Sequence, residues 1–520
     1  MVDPITLEIF KNLFASVAEE MGVVLQRTGF SPNIKERLDF SCAVFDKDGE
    51  MVAQAAHIPV HLGSMPLSVK SAVENVHMER GDTVILNDPY RGGTHLPDIT
   101  MVSPVFLGEE RPSFYVANRA HHADVGGYMP SSMPLSTSIF QEGVIIPPVK
   151  LVSSGNLQKD ILSFFLANVR TPVEREGDVS AQLAACETGA RRLSEMRDRY
   201  GLADLTAHAA ALQDYAETLM RQCIGAIPDS TYWFEDFMDD DGAGNEAIPI
   251  RVTITIEGDT AVVDFNGTGA QVKGCVNAVF AITLSCVFYV FRCLAAGEMP
   301  SNAGCMRPIR VVTPPGSLVN ATAPAAVAGG NVETSQRIVD VLLGALSKAL
   351  PQRIPAASCG SMNNVSIGGY DAIRDRPFAY YETLAGGMGA RPDKQGLDAV
   401  HTHMTNTMNT PIEVIESAYP LKILCYNIRR GSGGKGLHKG GDGLERQYEL
   451  LCDASVSILS ERRRFAAYGL SEGSGGKRGE NSVFRNGAWH MLPPKANLDC
   501  RRGERLRILT PGGGGYGRQA

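Results

Sequence analysis

The chain has 520 residues, 44% of them hydrophobic and 20% charged, with a formal net charge of -8. This composition belongs to a globular protein with several buried cores and excludes both a small disulfide-stapled domain and a disordered chain. The charge is mild and the basic residues are scattered, so a nucleic-acid partner has no electrostatic footprint.

In chain order, the first element reads as a helix. Asp3 can cap it, Pro4 suits the first helical position, and Phe10, Leu13, Phe14, Val17, Met21, Val24 and Leu25 form one apolar stripe. The start, "MVDPITLEIFKNL", carries acid where a secretory signal carries base, which predicts a cytoplasmic protein. Strand-like runs follow, "DFSCAVFD", "DTVILND", "VSPVFL" and "SFYVANRA", separated by turn clusters. A helix pair from about Val179 to Ile227, broken at "RYGLADL" with Gly201 as a cap, closes a mixed α/β N-terminal domain over residues 1–227.

A middle α+β domain over residues 228–350 is expected next. "IPIRVTITIEGDTAVVDFNGTG" alternates like a hairpin that turns at Glu257 to Asp259, and a helix runs from about Ser335 to Leu350. The most apolar segment, Ala278 to Phe291, falls short of the ~20 residues a membrane span needs and predicts a buried helix. No membrane association is expected.

Residues 351–520 form a third, glycine-rich α+β domain, with glycine clusters at Arg430 to Gly443, Gly473 to Gly479 and Gly512 to Gly517. Such stretches are tight turns, close backbone approaches or flexible loops. "GSGGKG" and "GSGGKRG" miss the register and the Ser or Thr of a phosphate loop, so no ATP motif of that kind is present. The whole reads as a mixed α+β, multidomain fold. The eleven cysteines stand singly in apolar settings, as buried thiols in a reducing compartment do.

"RGGTHLPDITM" places His95 three residues before Asp98, and "NRAHHADVGG" supplies His121, His122 and Asp124 at the end of a strand-like run. Asp39 opens another such run, where a carboxylate would not be chosen for packing. Asp39, His95, Asp98 and one of His121 or His122 would make a mixed nitrogen and oxygen site of the kind that holds Zn²⁺ or Mn²⁺. Side chains alternate along extended backbone, so one of the paired histidines binds and the other supports the site or contacts substrate. His57 and His61 of "AHIPVHLGSM" lack an acid within three residues downstream and are left out of the set. The plain alternative for a lone His-x-x-Asp pair is a hydrogen bond in a turn.

Long stretches carry a resemblance: "ITLEIFKNLFASVAEEMGVVLQRTGFSPNIKERLDFSCAVFDKDGEMVAQAAHIPVHLGSM", "LNDPYRGGTHLPDITMVSPVF", "NRAHHADVGGYMPSSMP", "GGNVETSQRI", "NTPIEVIE" and "TPGGGGYG". Together they resemble the hydantoinase B and 5-oxoprolinase family from Pro4 to the final glycines. The resemblance implies the B component of a two-component enzyme in a hetero-oligomer. ATP is bound by a hydantoinase A-like ATPase subunit, which phosphorylates the oxygen of a small cyclic amide, and the B component completes hydrolytic opening. In related acetone and acetophenone carboxylases the completion is addition of a carboxyl group, which gives the alternative function. A metal ion would lower the pKa of bound water toward roughly 7.

Family metal ligands map onto Asp39, His95, Asp98 and His121, with the doubled histidine leaving the register open by one. Asp124 or the unliganded histidine, His122, could orient water or shuttle its proton. Arg91, beside Gly92 and Gly93, could anchor a phosphorylated intermediate or form a plain turn. "GGNVETSQRI" could aim a helix N-terminus at an anion or be a simple cap, and "HTHMTNTMNTPIEVIE" is expected to serve contact between domains or subunits.

Overall fold

Asp3 accepts the Thr6 amide at 2.9 Å and Pro4 takes the first turn, so helix α1 spans Pro4–Thr28 and buries Phe10, Phe14, Val17, Met21 and Leu25. The computed structural model describes residues 3–519 apart from 296 and 298. Strands β1 (Phe40–Asp46), β2 (Met51–Gln54), β3 (Thr83–Leu86), β4 (Asp98–Val105), β5 (Phe114–His121), β6 (Val149–Ser153) and β7 (Asn156–Leu157) form one antiparallel sheet in the order β2-β1-β5-β4-β3-β6-β7. Helix α2 (Met65–Asn75) lies against this sheet, as do α1 and α3 (Pro172–Tyr200). Both faces are covered, which explains why β4 and β5 are buried at every position.

Gly201, at φ 83°, ends α3 and leads into α4 (Leu202–Gly225); its amide bonds Arg197 O at 2.8 Å. Helix α3 starts about two turns ahead of the apolar period. The added turns hide a polar pair, Arg175 and Asp178, which bond each other at 2.9 Å with no exposure, so hydrophobic spacing does not reveal them.

Strands β8 (Ser230–Asp240), β9 (Glu246–Glu257), β10 (Thr260–Asp264) and β11 (Ile309–Val312) form a second sheet, with Gly258 turning the expected hairpin at φ 58°. Helix α5 (Phe280–Leu294) is the buried apolar helix, and α6 (Ser335–Ala349) packs on β8. Strand β8 is rich in acid and is not apparent from apolar alternation. Its Asp236 lies 2.8 Å from Arg462, and Asp239 accepts amides of residues 463 to 465. Arg462 also pairs with Asp340 of α6, and Glu461 joins Arg337 of α6 to Lys495. Buried charges here are paired, as burial requires.

The last strands are β12 (Asn364–Asp371), β13 (Arg376–Thr383), β14 (Leu421–Arg429), β15 (Gly443–Leu450), β16 (Ala454–Leu459), β17 (Glu480–Arg485), β18 (Ala488–Leu492), β19 (Lys495–Cys500) and β20 (Arg505–Leu509). They make two sheets, β13-β12-β16-β19 and β14-β15-β20-β17-β18. The architecture is α+β, with four separate sheets among the described residues. Among the described residues no helix is long and apolar enough to cross a membrane.

The three glycine clusters meet each other. Gly434 N bonds Gly513 O at 2.8 Å, Gly513 N bonds Gly441 O at 3.0 Å, and Gly515 N bonds Ser474 O at 2.9 Å. A Cβ on Gly514 would stand 2.0 Å from Tyr468 O, and one on Gly440 would stand 2.1 Å from Gly513 O. Close backbone approach is the use realised at these contacts, while Gly431, at φ 74° with open space around it, serves a turn. Gly514→Ala should therefore cost about 3 kcal/mol or more in denaturant unfolding, because rigid backbone has to move. Gly503→Ala, where only the left-handed φ of 86° is at issue, should cost about 1–2 kcal/mol.

Candidate metal centre

Strand order brings the chemistry together. Strand β5 pairs with both β1 and β4, all antiparallel, so the end of β5 meets the starts of the other two: Asp98 lies opposite His121, whose amide bonds Asp39 O at 3.0 Å. His95 reaches the same point from the turn before β4. The donor atoms of His95, Asp98 and His121 lie within 4.8 Å of one another, and all three residues are buried. His95 Nε2 is 3.0 Å and His121 Nδ1 3.1 Å from Asp98 Oδ1, while Thr94 Oγ1 donates to Oδ2 at 2.6 Å. Burial alone would raise the Asp98 pKa, but the imidazoles of His95, His121 and His61 hold it well below the usual carboxylate range.

His61 belongs to this centre although its spacing gave no sign. Its Nε2 is 3.4 Å from Asp98 Oδ2, and Ser41 Oγ engages its Nδ1 at 2.8 Å. Its acidic neighbour is distant in sequence, so a search for acid just downstream passes over it. Asp39 lines the same cavity, but its Oδ2 is 3.5 Å from Arg37 and its carboxylate is not one of the three clustered donors. The cavity, about 20 Å³, is lined also by Asn331, Tyr381, Thr383, Thr405 and Thr407 and has room for an ion or a water. Tyr381 stacks on His121 with ring centroids 4.7 Å apart.

Two imidazole nitrogens beside one ionised carboxylate are a donor set for a divalent cation. His121 Nε2 and Asn331 Oδ1 are buried polar atoms without a hydrogen-bond partner, which also fits a site built for more than internal hydrogen bonding.

The other expected site residues lie elsewhere. Alternation along β5 turns His122 to the opposite face of the sheet, where its Nε2 meets Gln182 Oε1 of α3 at 2.9 Å. Burial, and then Arg175, push its pKa down to about 4. Asp124 accepts the Arg170 amide at 2.8 Å and Arg170 Nη1 at 2.9 Å, which pins a loop. Arg91 is 53% exposed with Nε 3.5 Å from Asp88, and Gly92 packs on Leu67 O in a tight turn. None of the three lines the cavity.

The segment ahead of α6 touches His95 twice: Ala328 O is 3.4 Å from Nδ1, and Asn331 Nδ2 is 3.0 Å from Nε2. Glu142 secures this segment, since its Oε1 accepts the amides of Val327 at 2.9 Å and Ala328 at 3.0 Å. Burial raises the Glu142 pKa to about 7 against the pull of Ser136 and these amides. A carboxyl raised on folding contributes stability that is whole below its unfolded value, about 4.5, and is lost as pH rises through about 7. Glu142→Gln keeps the acceptor and removes the titration. The stability difference between wild type and this variant, from denaturant melts at pH 5 and pH 8, should move against wild type at the higher pH. A pH-independent difference would assign the slope to other groups.

Residues 3–519 match the family described as Hydantoinase B/oxoprolinase. The 5-oxoprolinase of Dictyostelium discoideum is 41% identical over 100% of this chain, which spans only 40% of that longer protein. The putative D-/L-hydantoinase B component of Pseudomonas sp. (strain NS671) is 32% identical, with 99% of this chain and 90% of that protein covered. The ATP-dependent caprolactamase of Pseudomonas jessenii superimposes with a TM-score of 0.92 at 28% identity, covering 100% of this chain and 92% of that one. An acetone carboxylase shares the fold, with a TM-score of 0.88 at 19% identity over 99% of this chain and 76% of that one. A match over nearly every residue, with the clustered histidines and aspartate inside it, makes this chain a member of the hydantoinase B/oxoprolinase family.

Proposed function

We propose that this chain is the B component of a two-component, ATP-dependent cyclic amidase that opens a lactam after an A-type ATPase subunit has phosphorylated its carbonyl oxygen. The observation that carries the reading is the buried Asp98 ringed by His95, His121 and His61 in a chain similar throughout to 5-oxoprolinases and to a hydantoinase B component. The hydantoinase relative is covered almost end to end, whereas the 5-oxoprolinase is covered over two-fifths of its length, which supports a reading that leaves the rest of the reaction to other sequence.

His95, Asp98 and His121 would hold a divalent ion such as Zn²⁺ or Mn²⁺, with Asp39 on the same wall as a further acid. When bound, the ion supplies Lewis acidity and acidifies water. The chain's own groups do the placing. Asp98 stays ionised among imidazoles, Ser41 fixes the ring of His61 so that Nε2 faces Asp98 and the cavity, and Tyr381 braces His121. His122 and Asp124 serve as supports behind this centre. Arg91 is a surface group in this reading and is not needed for substrate.

A lactam is a poor electrophile with a poor nitrogen leaving group, so phosphorylation changes the carbonyl before water attacks. The carboxylase reading draws on shared fold alone and comes second.

Elemental analysis of purified variants checks the ligands. His95→Ala and Asp98→Asn should lose the ion by more than the ~10–100-fold expected for removing an outer partner, while His122→Gln should retain it. Loss of the ion in His122→Gln alone would reverse the register of the two histidines.

Turnover checks the division of labour. The chain alone should consume neither ATP nor an unactivated lactam. With its A partner, a screen of lactams and of ketones with bicarbonate should give lactam-dependent ATP hydrolysis and a ring-opened mass, stopped by a chelator. Ketone-dependent ATP hydrolysis would favour the carboxylase, and ring opening without ATP would sink the two-component scheme.

A further inference from the structure

Resting on the metal reading above, we propose that Asn331 is a metal ligand through its carboxamide oxygen, and that the centre is six-coordinate and built from two parts of the chain. The first ground is a conflict at His95. Its Nε2 is 3.0 Å from Asp98 Oδ1, which calls for a proton on that nitrogen, and 3.0 Å from Asn331 Nδ2, which calls for a lone pair. One nitrogen cannot meet both. Asn331 Oδ1, meanwhile, is buried with no partner. The two ends of a carboxamide are isosteric, so half a turn about the terminal bond puts the oxygen 3.0 Å from His95 Nε2 without moving a neighbour, and the amide nitrogen takes the partnerless place. A cation among these atoms resolves the conflict: His95 Nε2 gives its lone pair, Asp98 Oδ1 its charge, and Asn331 its oxygen.

The second ground is spacing. Ligand atoms about 2.1 Å from an ion and at right angles stand about 3.0 Å apart, whereas tetrahedral ligands about 2.05 Å away stand about 3.3 Å apart. Three edges are available: His95 Nε2 to Asp98 Oδ1 at 3.0 Å, His121 Nδ1 to Asp98 Oδ1 at 3.1 Å, and His95 Nε2 to the Asn331 carboxamide at 3.0 Å. All three fit the right-angled arrangement, a spacing that hydrogen bonds share, and Asn331 occupies its edge as the other proposed donors occupy theirs.

The third ground is how Asn331 is held. Residues Gly330–Thr334 form a π-turn directly ahead of α6, the kind of widened turn that re-aims a side chain at a functional site. A Cβ on Gly330 would stand 1.8 Å from Asn277 O, so glycine is required for the turn to come this close. Ser335 Oγ bonds Asn331 O at 2.6 Å, Asn277 Nδ2 bonds Ala326 O at 2.9 Å, and Glu142 fixes residues 327 and 328. The same segment thus orients His95 from behind through Ala328 O and faces it in front through Asn331.

The test loads wild type, Asn331→Ala and Asn331→Asp with Co²⁺, and reads metal stoichiometry, affinity against a coloured chelator, and the visible spectrum. Folding is checked by circular dichroism. Wild type should bind one ion with the weak absorption of six-coordinate Co²⁺. Asn331→Ala should bind at least tenfold more weakly, with stronger bands of lower coordination, and Asn331→Asp, which keeps an oxygen at the position, should restore both. If wild type binds the ion and Asn331→Ala matches it in affinity and spectrum, the assignment of Asn331 is overturned while the metal reading stands. Intense tetrahedral bands in wild type overturn it as well. If wild type takes up no stoichiometric metal, the metal reading itself fails and this assignment falls with it. Should Asn331→Ala not fold, Asn331→Asp alone decides: an unchanged six-coordinate spectrum with affinity at least that of wild type supports the assignment, and lost binding overturns it.

Discussion

A carboxylate shut away from bulk solvent has to be neutralised by whatever the fold places beside it, and Asp98 is such a group: it is 1% exposed and ionised against the cost of its burial. Much of the surrounding architecture follows from that requirement. Thr94 and His61 attend one oxygen while His95 and His121 attend the other. Each imidazole then needs a fixed orientation. Ser41 supplies it for His61, Tyr381 for His121, and the segment ahead of α6 for His95. Charge compensation at one atom pair therefore recruits β1, β4, β5, β13 and the π-turn into one cluster.

The two faces of β5 show how alternation divides labour. Arg119 and His121 point toward α2 and the cavity, where Arg119 bonds Ser64, Ser68 and Thr100. Asn118 and His122 point toward α3, where both meet Gln182, whose own amide bonds Ile99 O. The polar joint behind the strand holds β5 on α3, so the strand end that carries His121 cannot drift. A histidine pair whose sequence leaves open which member binds is divided in space, His121 facing the cavity and His122 facing Gln182 of α3.

This is also where sequence ceased to be enough. The caps, helix stripes and hairpin were legible because they depend on neighbours a few residues apart: Asp3 on Thr6, Gly201 on Arg197, Glu257 against Thr260. His95, Asp98 and His121 were legible because clustering near strand ends survives ignorance of strand order. His61 and Asn331 were not, since each meets its partner only after β1, β5 and β4 have lined up or a distant segment has crossed over. Buried polar pairs defeated pattern reading for the same reason: Arg175 with Asp178, or Asp236 with Arg462, look like surface until the partner is known. The glycine clusters were seen but not resolved, because contact between backbones leaves no spacing rule.

The cavity wall is itself divided by origin. Its metal end comes from residues 39 to 121, while Met362, Tyr381, Thr383, Met404, Thr405 and Thr407 form the rest together with the π-turn. On the proposed reading, these two parts answer to different demands. An ion asks for charge and fixed nitrogen or oxygen donors, which leaves little freedom at the first part. A substrate ring asks for shape and a few hydroxyls, which thioether and threonine side chains can supply in many combinations. On that reading a change of substrate is met at Met362, Met404, Thr405 and Thr407, outside the sheet that sets the metal, while Tyr381 stays fixed because His121 leans on it, so the balance of charge around Asp98 is kept.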